Sequence, residues 1–450
     1  MPDASRLRIA IIGAGIAGLT AAIALKDEPG VEVQIYEKTL ELREVGATIA
    51  LGPNGMRTLE RLGVADALDE SVAFRNESRH PMIYRFGCPQ IVQRRTDLLT
   101  LDVISHYNTD EVVSFDTHSK SVEERHHTAR FFRPHLQQTL ARHLDPATLH
   151  LGKAFQSCSF NAELRKLVIT FTDGSTEQAD ILLGADGIHS PVRQFFVSTS
   201  KTRITGWTTF RSVFPISHVE NIPNLPREAV HIWGPDRTLF VTPLAQGLFS
   251  VVGSHQEDPN EPPETARHQV AAWDSTGTVN DLREFYKDWS PLVRSIVEAT
   301  PYTKVYPNSA ADGLETWVLG DGRVTLAGDA AHAHGGAYAA GGSLAADDGW
   351  AFAQAVRQLL ARTGGWSSST EASEEIAEAI RLYERTRKPH TDRVQQTVQR
   401  RNEVMVQRIG KVESDEELRW RISNRPDLRW IHEHDVVNAF SEALRGSDSR

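Results

Sequence analysis

Apolar residues in the first forty positions form two short runs with a helical stretch between them. Residues 8–12 form an apolar run typical of a buried parallel strand, residues 31–36 predict the next strand, and residues 19–26 predict a helix. The turn at 13–18 is Gly-Ala-Gly-Ile-Ala-Gly, and an acid follows the second strand. The order of strand, glycine turn, helix, strand and acid predicts a dinucleotide-binding unit. This stretch does not distinguish NAD from FAD.

The residues of this turn have separate physical roles. Gly13 permits the tight bend, Gly15 lets a pyrophosphate approach the backbone, and Gly18 lets the helix pack closely on the strand. The helix N-terminus offers unpaired N–H groups and a partial positive charge to the phosphates. Glu37 lies 24 positions after Gly13. That spacing is close to the value of about 20 expected of an acid that binds ribose hydroxyls.

Helical periodicity returns in several later segments. Helices are predicted over residues 56–68, 129–143 and 344–362, from 374 into the region of Met405, and as shorter pieces within 282–298. Pro389 should kink or break the helix that begins near 374, because proline lacks the N–H and clashes with the preceding turn.

The strands predicted in the rest of the chain are of two kinds. Buried strands are predicted at 179–184 and 323–327, a hairpin at 166–172 and 176–180, and strands with turns from about 74 to 107. Residues rich in β-branched and aromatic side chains predict an antiparallel sheet at 207–214, 230–233, 237–243 and 248–253. An α/β half is therefore interrupted by a sheet and completed later, so residues distant in sequence should meet at the nucleotide.

The composition of the chain limits the kinds of partner that it is expected to bind. The chain has 450 residues, 40% of them apolar, 24% charged, and a net charge of −10. These values predict a soluble globular protein that binds neither nucleic acid nor a membrane. The two cysteines form no CxxC pair, and no signal peptide is evident, which favours a reduced, cytoplasmic location. The histidine pairs lack accompanying ligands at metal-binding spacing, so no metal site is predicted.

Two later turns complete a three-part signature. Residues 184–193 end a strand with Gly-Ala-Asp-Gly-Ile-His-Ser-Pro-Val-Arg, and 328–332, Gly-Asp-Ala-Ala-His, follow another. The second turn continues through Gly335, Gly336, Gly341 and Gly342 to a helix. Asp329 is placed to accept hydrogen bonds from a ribitol hydroxyl, and the helix start can bring N–H groups onto a pyrophosphate or ring carbonyl. Either turn alone is most simply an ordinary Asp-containing turn.

The three motifs together resemble the single-component, class A FAD-dependent aromatic monooxygenases. Within this class, the likeness is closer to salicylate hydroxylase and its fungal relatives that hydroxylate or dearomatise resorcinol-type polyketides. Further matches include Val-Gly-Ala-Thr-Ile at 45–49, Phe-Arg-Pro-His-Leu at 132–136, Thr-Phe-Arg at 209–211 and Trp-Ile-His-Glu-His-Asp at 430–435. The resemblance covers essentially the whole chain.

The resemblance implies an α/β fold of the p-hydroxybenzoate hydroxylase type. A Rossmann-type FAD-binding domain is expected over 1–75, 105–196 and 310–395. An inserted antiparallel β-sheet forms the substrate-binding domain over 76–104 and 197–309, and 396–450 is a C-terminal helical segment. The cofactor is non-covalent FAD, with NADPH or NADH and O2 as co-substrates.

The resemblance also implies roles for residues of the cofactor site. Glu37 binds the adenosine ribose, Ala50 lies by the flavin, and Arg133 contacts the phosphate side of FAD. Asp186 and Gly187 mark a turn shared by FAD and the pyridine nucleotide. Asp329 holds the ribitol, and Gly342 lies at the helix start beside the isoalloxazine.

This chain departs from the family pattern at three places. Gly336 stands where the family usually has proline, and Ala-Ala-Gly-Gly at 339–342 replaces Gly-x-Gly, so the backbone near the flavin carbonyl should be arranged differently. Thr242 stands where the family often has a substrate-binding tyrosine, so that tyrosine's role does not transfer.

The implied chemistry points to a cation in the inserted sheet. A flavin C4a-hydroperoxide delivers an electrophilic oxygen, which requires an electron-rich ring, and a phenolate is richer than a phenol. Arg211 is the cation within the apolar stretch 207–214 and is the first candidate to favour the phenolate. His231 and His334 are further candidates for a proton relay or a substrate hydrogen bond, although a buried structural histidine is the simpler reading of each.

The leading prediction is NAD(P)H- and O2-dependent hydroxylation of a phenolic substrate, with dearomatisation or decarboxylation as further outcomes. A flavin halogenase shares the fold but would need a Trp-x-Trp-x-Ile-Pro stretch that this sequence lacks. An NAD-dependent dehydrogenase would leave the two later turns unexplained, and a non-catalytic flavin-binding regulator is a third alternative. The phenol, the choice of NADH or NADPH, and a homodimeric state stay open.

Overall fold

The chain folds around two β-sheets, one parallel and one mixed. The structure is a computed structural model that describes residues 6–42, 47–86, 90–96, 100–106, 112–234, 236–256, 279–366, 372–407 and 413–448. The strands of the N-terminal half are β1 Leu7–Ile12, β2 Val31–Glu37, β3 Thr48–Leu51, β4 Ile83–Phe86, β5 Gln90–Thr96, β6 Thr100–His106, β7 Val112–Phe115, β8 Ala129–Phe132, β9 Leu149–Leu151, β10 Phe155–Asn161, β11 Lys166–Phe171, β12 Thr176–Ala179 and β13 Ile181–Gly184. Those that follow are β14 Thr202–Pro215, β15 Val230–Trp233, β16 Arg237–Leu244, β17 Leu248–Gln256, β18 Lys304–Ala311 and β19 Val324–Leu326.

Helices connect and cover these strands. They are α1 Ile16–Leu25, α2 Pro53–Arg61, α3 Arg133–Ala141, α4 Pro191–Phe196, α5 Val279–Tyr286, α6 Pro291–Ala299, α7 Asp329–His332, α8 Gly341–Thr363, α9 Ala372–Val406, α10 Asp415–Ser423, α11 Arg429–His432 and α12 Val436–Asp448. No helix in the described ranges is both long and apolar enough to cross a bilayer.

The parallel sheet has the strand order β19-β13-β1-β2-β9. Its β1 is buried except at Arg8, and every residue of α1 is buried. Small residues let α1 approach α8 closely, since a Cβ built on Gly349 would lie 2.3 Å from Oγ1 of Thr20. This sheet, α1 and α8 form the largest apolar core, and the carboxyl ends of β1, β2, β13 and β19 meet at one edge.

The second sheet has the order β18-β14-β17-β16-β15-β4-β7. Its neighbouring strands are antiparallel except for the parallel pair β15 and β4, so the inserted sheet is mixed rather than wholly antiparallel. One face carries the apolar core with α5 and α6. The other face meets β3, because Oγ1 of Thr48 lies 2.5 Å from Oγ of Ser250. This sheet also takes in β7, which the predicted division assigned to the FAD-binding domain.

Most predicted elements are present, and three differ from the prediction. The predicted helix 129–143 begins only at Arg133, because Ala129–Phe132 pairs with β3 as strand β8. Pro389 does not break the predicted helix, since α9 continues from Ala372 to Val406. The helix predicted at 56–68 begins earlier, at Pro53, and ends at Arg61.

Candidate active site

The glycine turn after β1 packs directly on the turn after β13. Gly13 has φ of +106°, and a Cβ built on it would lie 2.4 Å from the carbonyl oxygen of Ala185. A Cβ on Gly18 would lie 2.1 Å from the carbonyl oxygen of Gly13. The N-cap of α1 is Gly15, which has no side chain to occupy the helix N–H groups. The turn therefore has the shape that the pyrophosphate of a dinucleotide needs.

Glu37 lies at the end of β2, beside this turn. Its Oε2 accepts a hydrogen bond from the Ala14 N–H at 2.9 Å, and its Oε1 accepts from the N–H and hydroxyl of Thr39 at 3.0 Å. The carboxylate therefore ties the glycine turn to β2, a structural role that spacing alone did not indicate. Its contact with a ribose stays a prediction.

Asp186 and Gly187 form the turn that follows β13. Oδ2 of Asp186 accepts a hydrogen bond from the Val192 N–H at 3.1 Å. Desolvation raises the pKa of the Asp186 carboxyl to about 6. Gly187 has φ of +84°, a left-handed conformation that favours glycine. The turn lies next to the first glycine turn, because Ala185 is the contact of Gly13.

The Gly-Asp-Ala-Ala-His turn is held from behind by a buried carboxylate of α8. Oδ2 of Asp348 accepts hydrogen bonds from the Gly328 N–H at 2.8 Å and pairs with Nε2 of His332 at 2.6 Å. Nε of Arg387, on α9, donates to Oδ1 of Asp348 at 2.8 Å. Asp329 is exposed at the start of α7, where it is available to a ligand. His332 is thus held in this turn by a buried carboxylate, and sequence reasoning identified neither Asp348 nor Arg387.

The start of α8 lies against β3. A Cβ built on Gly342 would come within 2.7 Å of Cδ1 of Ile49 and 2.8 Å of Cδ2 of Leu51. Ala50 lies between those two residues on β3, and the places of Ala50 and Gly342 beside the flavin stay predictions. Arg133 begins α3, and its backbone N–H donates to the Ala47 carbonyl at 2.9 Å next to the same strand.

Arg211 lies on the face of the mixed sheet that meets β3. Its Nε donates to Oγ1 of Thr209 at 3.1 Å, and its guanidinium lies 5.2 Å from the centre of the Tyr306 ring. Its Nη2 is 3.9 Å from a Cβ built on Gly336, in the turn that leads into α8. Burial lowers the pKa of Arg211, and the charge of Arg133 lowers it further. No carboxylate within the described ranges forms an ion pair with it.

His231 stands in the same cross-strand row as Arg211 but three strands away. The row runs from Arg211 through Val252 and Phe240 to His231, a separation of roughly 14 Å at about 4.8 Å per strand. The His231 ring packs between Tyr84 and Trp233, with centroid distances of 5.9 and 5.6 Å. Burial lowers the pKa of His231 to about 3, so the ring is neutral at physiological pH.

His334 lies at the other side of the site, with Asp329 and the start of α8. It is buried, its Nδ1 lies 3.3 Å from the His332 carbonyl oxygen, and its Cε1 is 3.7 Å from a Cβ built on Gly341. Burial lowers the pKa of His334. The three predicted catalytic residues therefore do not form one contact group: Arg211 and His334 flank the turn before α8, and His231 is remote from both.

Comparison with known proteins places this arrangement in a family. A family model described as FAD binding domain matches residues 6–397. The chain is 30% identical over 437 residues to the 3-amino-4-hydroxybenzoate 2-monooxygenase of Streptomyces cremeus, with 95% of each chain covered. It is 28% identical over 401 residues to the 6-hydroxynicotinate 3-monooxygenase of Pseudomonas fluorescens, covering 86% of this chain and 89% of that protein. A salicylate hydroxylase substrate complex superposes with a TM-score of 0.73 at 22% identity, covering 98% of both chains.

The chain belongs to this FAD-binding family. It is an FAD-dependent aromatic monooxygenase that resembles salicylate hydroxylase, as predicted. The comparisons support the monooxygenase prediction rather than the halogenase or the non-catalytic regulator.

The residues of this flavoprotein fit FAD as the dinucleotide. The open Gly15 cap suits the pyrophosphate, Glu37 suits the adenosine ribose, and Asp329 suits the ribitol. Within the described ranges, no group of three or more His, Cys, Asp or Glu residues is arranged to hold a metal ion.

Sequence reasoning also missed the backbone of this flavoprotein just before α8. Tyr338 and Ala339 have φ of +60° and +52°, a left-handed conformation that is costly for residues with a side chain. This is the segment in which the chain departs from the family's proline and Gly-x-Gly pattern. The glycine pairs on either side of it were the available signal, but they do not specify which residues take the strained conformation.

Proposed function

We propose that this monooxygenase uses NAD(P)H and O2 to hydroxylate a phenolic ring held by Arg211. The observation that carries the proposal is the position of the Arg211 guanidinium. It is half-buried, faces the Gly336 turn, and has Thr209 and the Tyr306 ring as its contacts, with no carboxylate paired to it among the described residues. A half-buried cation that no described carboxylate neutralises suits an anionic ligand, and a phenolate is the anion that the chemistry needs.

The protein's own groups would prepare the substrate and the cofactor. FAD, bound non-covalently, would supply the chemistry by which an oxygen atom is transferred to the ring. The glycine turn, Glu37 and Asp329 hold its pyrophosphate, ribose and ribitol. A nearby positive charge such as that of Arg211 lowers the pKa of a phenol by roughly 1–3 units, by analogy with its effect on carboxyls. The Tyr306 ring covers the guanidinium on one side and so strengthens this effect by excluding water.

The names of the relatives support a hydroxylated aromatic ring as substrate. Both 3-amino-4-hydroxybenzoate and 6-hydroxynicotinate carry a hydroxyl group on a six-membered aromatic ring. His334, which lies beside Asp329, is the better placed of the two histidines for a hydrogen bond near the flavin. The cytoplasmic location and the homodimer stay predictions.

The test is to measure product formed per reduced nucleotide consumed, across pH, for the wild type, Arg211→Lys and Arg211→Ala. Each unit of phenol pKa is worth about 1.4 kcal/mol, so Arg211→Ala should reduce hydroxylation roughly 10- to 1000-fold. Arg211→Lys should also be impaired, because lysine lacks the planar fork. The remaining activity should rise with pH, since the phenol then ionises without help.

Arg203→Ala is a matched control on the same strand. Arg203 is exposed and contacts Asp312 at 3.8 Å, so its loss should leave product formation unchanged. FAD content and melting temperature should stay near wild type in all variants. If Arg211→Ala forms product at the wild-type rate and pH optimum, Arg211 is structural and the proposal is wrong.

A further inference from the structure

A second guanidinium lies on the same face of the mixed sheet as Arg211. Arg401, near the end of α9, is 5.7 Å from the centre of the Trp207 ring and 5.4 Å from the centre of the Tyr338 ring. Tyr338 belongs to the strained segment before α8. These three residues, here called the Arg401 cluster, therefore join the C-terminal part of the chain to the mixed sheet and to the segment before α8.

The Arg401 guanidinium has no counter-ion within the part of the chain that the structure describes. Its neighbours on the same face differ: Nε of Arg421 donates to Oε1 of Glu413 at 2.9 Å, and Nη2 of Arg425 to Oδ1 of Asp116 at 2.8 Å. Burial lowers the pKa of Arg401, and the charge of Arg421 lowers it further. A guanidinium has five N–H donors, and taking it out of water is costly unless they are used.

Trp207 provides a second unused donor. Its Nε1–H is buried and has no acceptor among the described residues. Trp207, Thr209 and Arg211 are alternate residues of β14 and so point to the same face. Trp207 and Arg211 are four residues apart, a distance of roughly 13 Å along the strand. Two guanidiniums, neither with a carboxylate partner among the described residues, thus border one stretch of the mixed sheet from opposite ends.

We propose that Arg401 binds a carboxylate of the aromatic substrate, with the Trp207 indole as a neutral second donor. This inference deepens the proposed function and rests on it: Arg211 holds the phenolate end and Arg401 the acid end of one hydroxylated aromatic acid. Both relatives act, by name, on a ring that carries a carboxylate as well as a hydroxyl group. A substrate with two anionic groups would supply the counter-charge that neither arginine receives from the described residues.

The test compares acids with their amides in direct binding to the FAD-loaded enzyme. The probes are salicylate, 4-hydroxybenzoate and 6-hydroxynicotinate, each paired with the corresponding carboxamide, and the readout is the change in flavin absorbance. The variants are Arg401→Gln and Arg401→Lys. Arg400→Gln is the matched control, because Arg400 is the adjacent residue of α9 and is exposed.

At least one acid should bind the wild type more tightly than its amide. In Arg401→Gln the Kd of that acid should rise about 10- to 100-fold, which corresponds to the loss of a charge-assisted hydrogen bond, while the Kd of the amide stays unchanged. Arg401→Lys should restore part of the acid affinity, since it keeps the charge. Arg400→Gln should match the wild type throughout.

Two results would overturn the inference. One is that no acid binds more tightly than its amide in the wild type. The other is that the preference for the acid survives in Arg401→Gln, which would make Arg401 a structural residue of the aromatic cluster. If phenols without a carboxylate are hydroxylated and lose activity only with Arg211→Ala, the proposed function stands and the role of Arg401 fails alone. If no phenol is hydroxylated at all, the proposed function fails as well.

Discussion

Replacing Asp348 by asparagine should destabilise the protein more than any exposed charge substitution. Asp348 and Arg387 are both fully buried, and the Asp348 carboxylate is hydrogen-bonded to Gly328, His332 and Arg387 at once. Asparagine keeps the volume and one acceptor but removes the carboxylate to which the Arg387 guanidinium is hydrogen-bonded, leaving the charge of Asp347 as its remaining buried counter-charge. Breaking a buried pair in this way costs about 3–5 kcal/mol. That is a large share of the roughly 5–15 kcal/mol by which proteins are stable.

The assay is urea unfolding followed by tryptophan fluorescence. Trp317 reports on the region directly, because its ring lies 5.8 Å from the His332 ring. Asp427→Asn is the control, since its pair with Arg429 is about half exposed and such pairs contribute only about 0–1 kcal/mol. The double variant Asp348→Asn with Arg387→Met should recover much of the loss, because the buried guanidinium is then removed together with the carboxylate that it paired with. An Asp348→Asn protein as stable as the control would refute the reasoning.

The pair of Asp348 and Arg387 also predicts that the stability of the protein depends on pH in acid. Burial pushes the pKa of Asp348 up, but the charges of His332 and Arg387 bring it below its ordinary value of 3.8. The Asp348 carboxyl therefore binds a proton less tightly in the folded state than in the unfolded state. The stability that this ionised carboxylate contributes is complete above pH about 4 and is lost as the pH falls toward the folded-state pKa. The wild type should lose this increment in acid, and Asp348→Asn should not.

Two further predictions concern the nucleotide. Glu37→Ala should weaken FAD binding at least about tenfold, because charge-assisted bonds are worth about 1.5–3 kcal/mol, with turnover restored at saturating FAD; unchanged FAD affinity in a titration would place the ribose contact elsewhere. Gly13→Ala should abolish FAD binding, since the new Cβ would lie 2.4 Å from the Ala185 carbonyl oxygen at φ of +106°. Gly174→Ala is the control, because Gly174 has φ of +82° and a Cβ built on it would meet nothing within 4 Å. This variant has only the conformational cost of a left-handed alanine and should still bind FAD.

The nucleotide half of the fold was predictable because its signals are local. A glycine turn between an apolar strand and a helix fixes its own geometry, and β1, α1 and β2 lie within one or a few residues of the predicted positions. The error at 129–132 has a nonlocal cause: Ala129–Phe132 pairs with β3, about eighty positions earlier. Pro134 did mark the true helix start, since proline is favoured in the first turn.

The continuity of α9 through Pro389 is also a tertiary effect. The lost hydrogen bond costs about 3 kcal/mol or more in an isolated helix. Arg387, His390 and Thr391 are buried around it, and Arg387 is anchored to Asp348. Arg401 was missed for a similar reason, because a single arginine on a polar helix carries no sequence signal until its neighbours in space are known.

The strand order of the parallel sheet has a consequence for biosynthesis. The early strand β1 borders β13, and β13 in turn borders β19, which is among the last strands made. The close contact that covers α1 joins Thr20 to Gly349, roughly 330 positions later. Contacts of such separation are slow to form, and a ligand stabilises only a chain that has already made its site. The N-terminal segment therefore leaves the ribosome with the apolar face of α1 uncovered, and a chain that stops before α8 has no way to cover it.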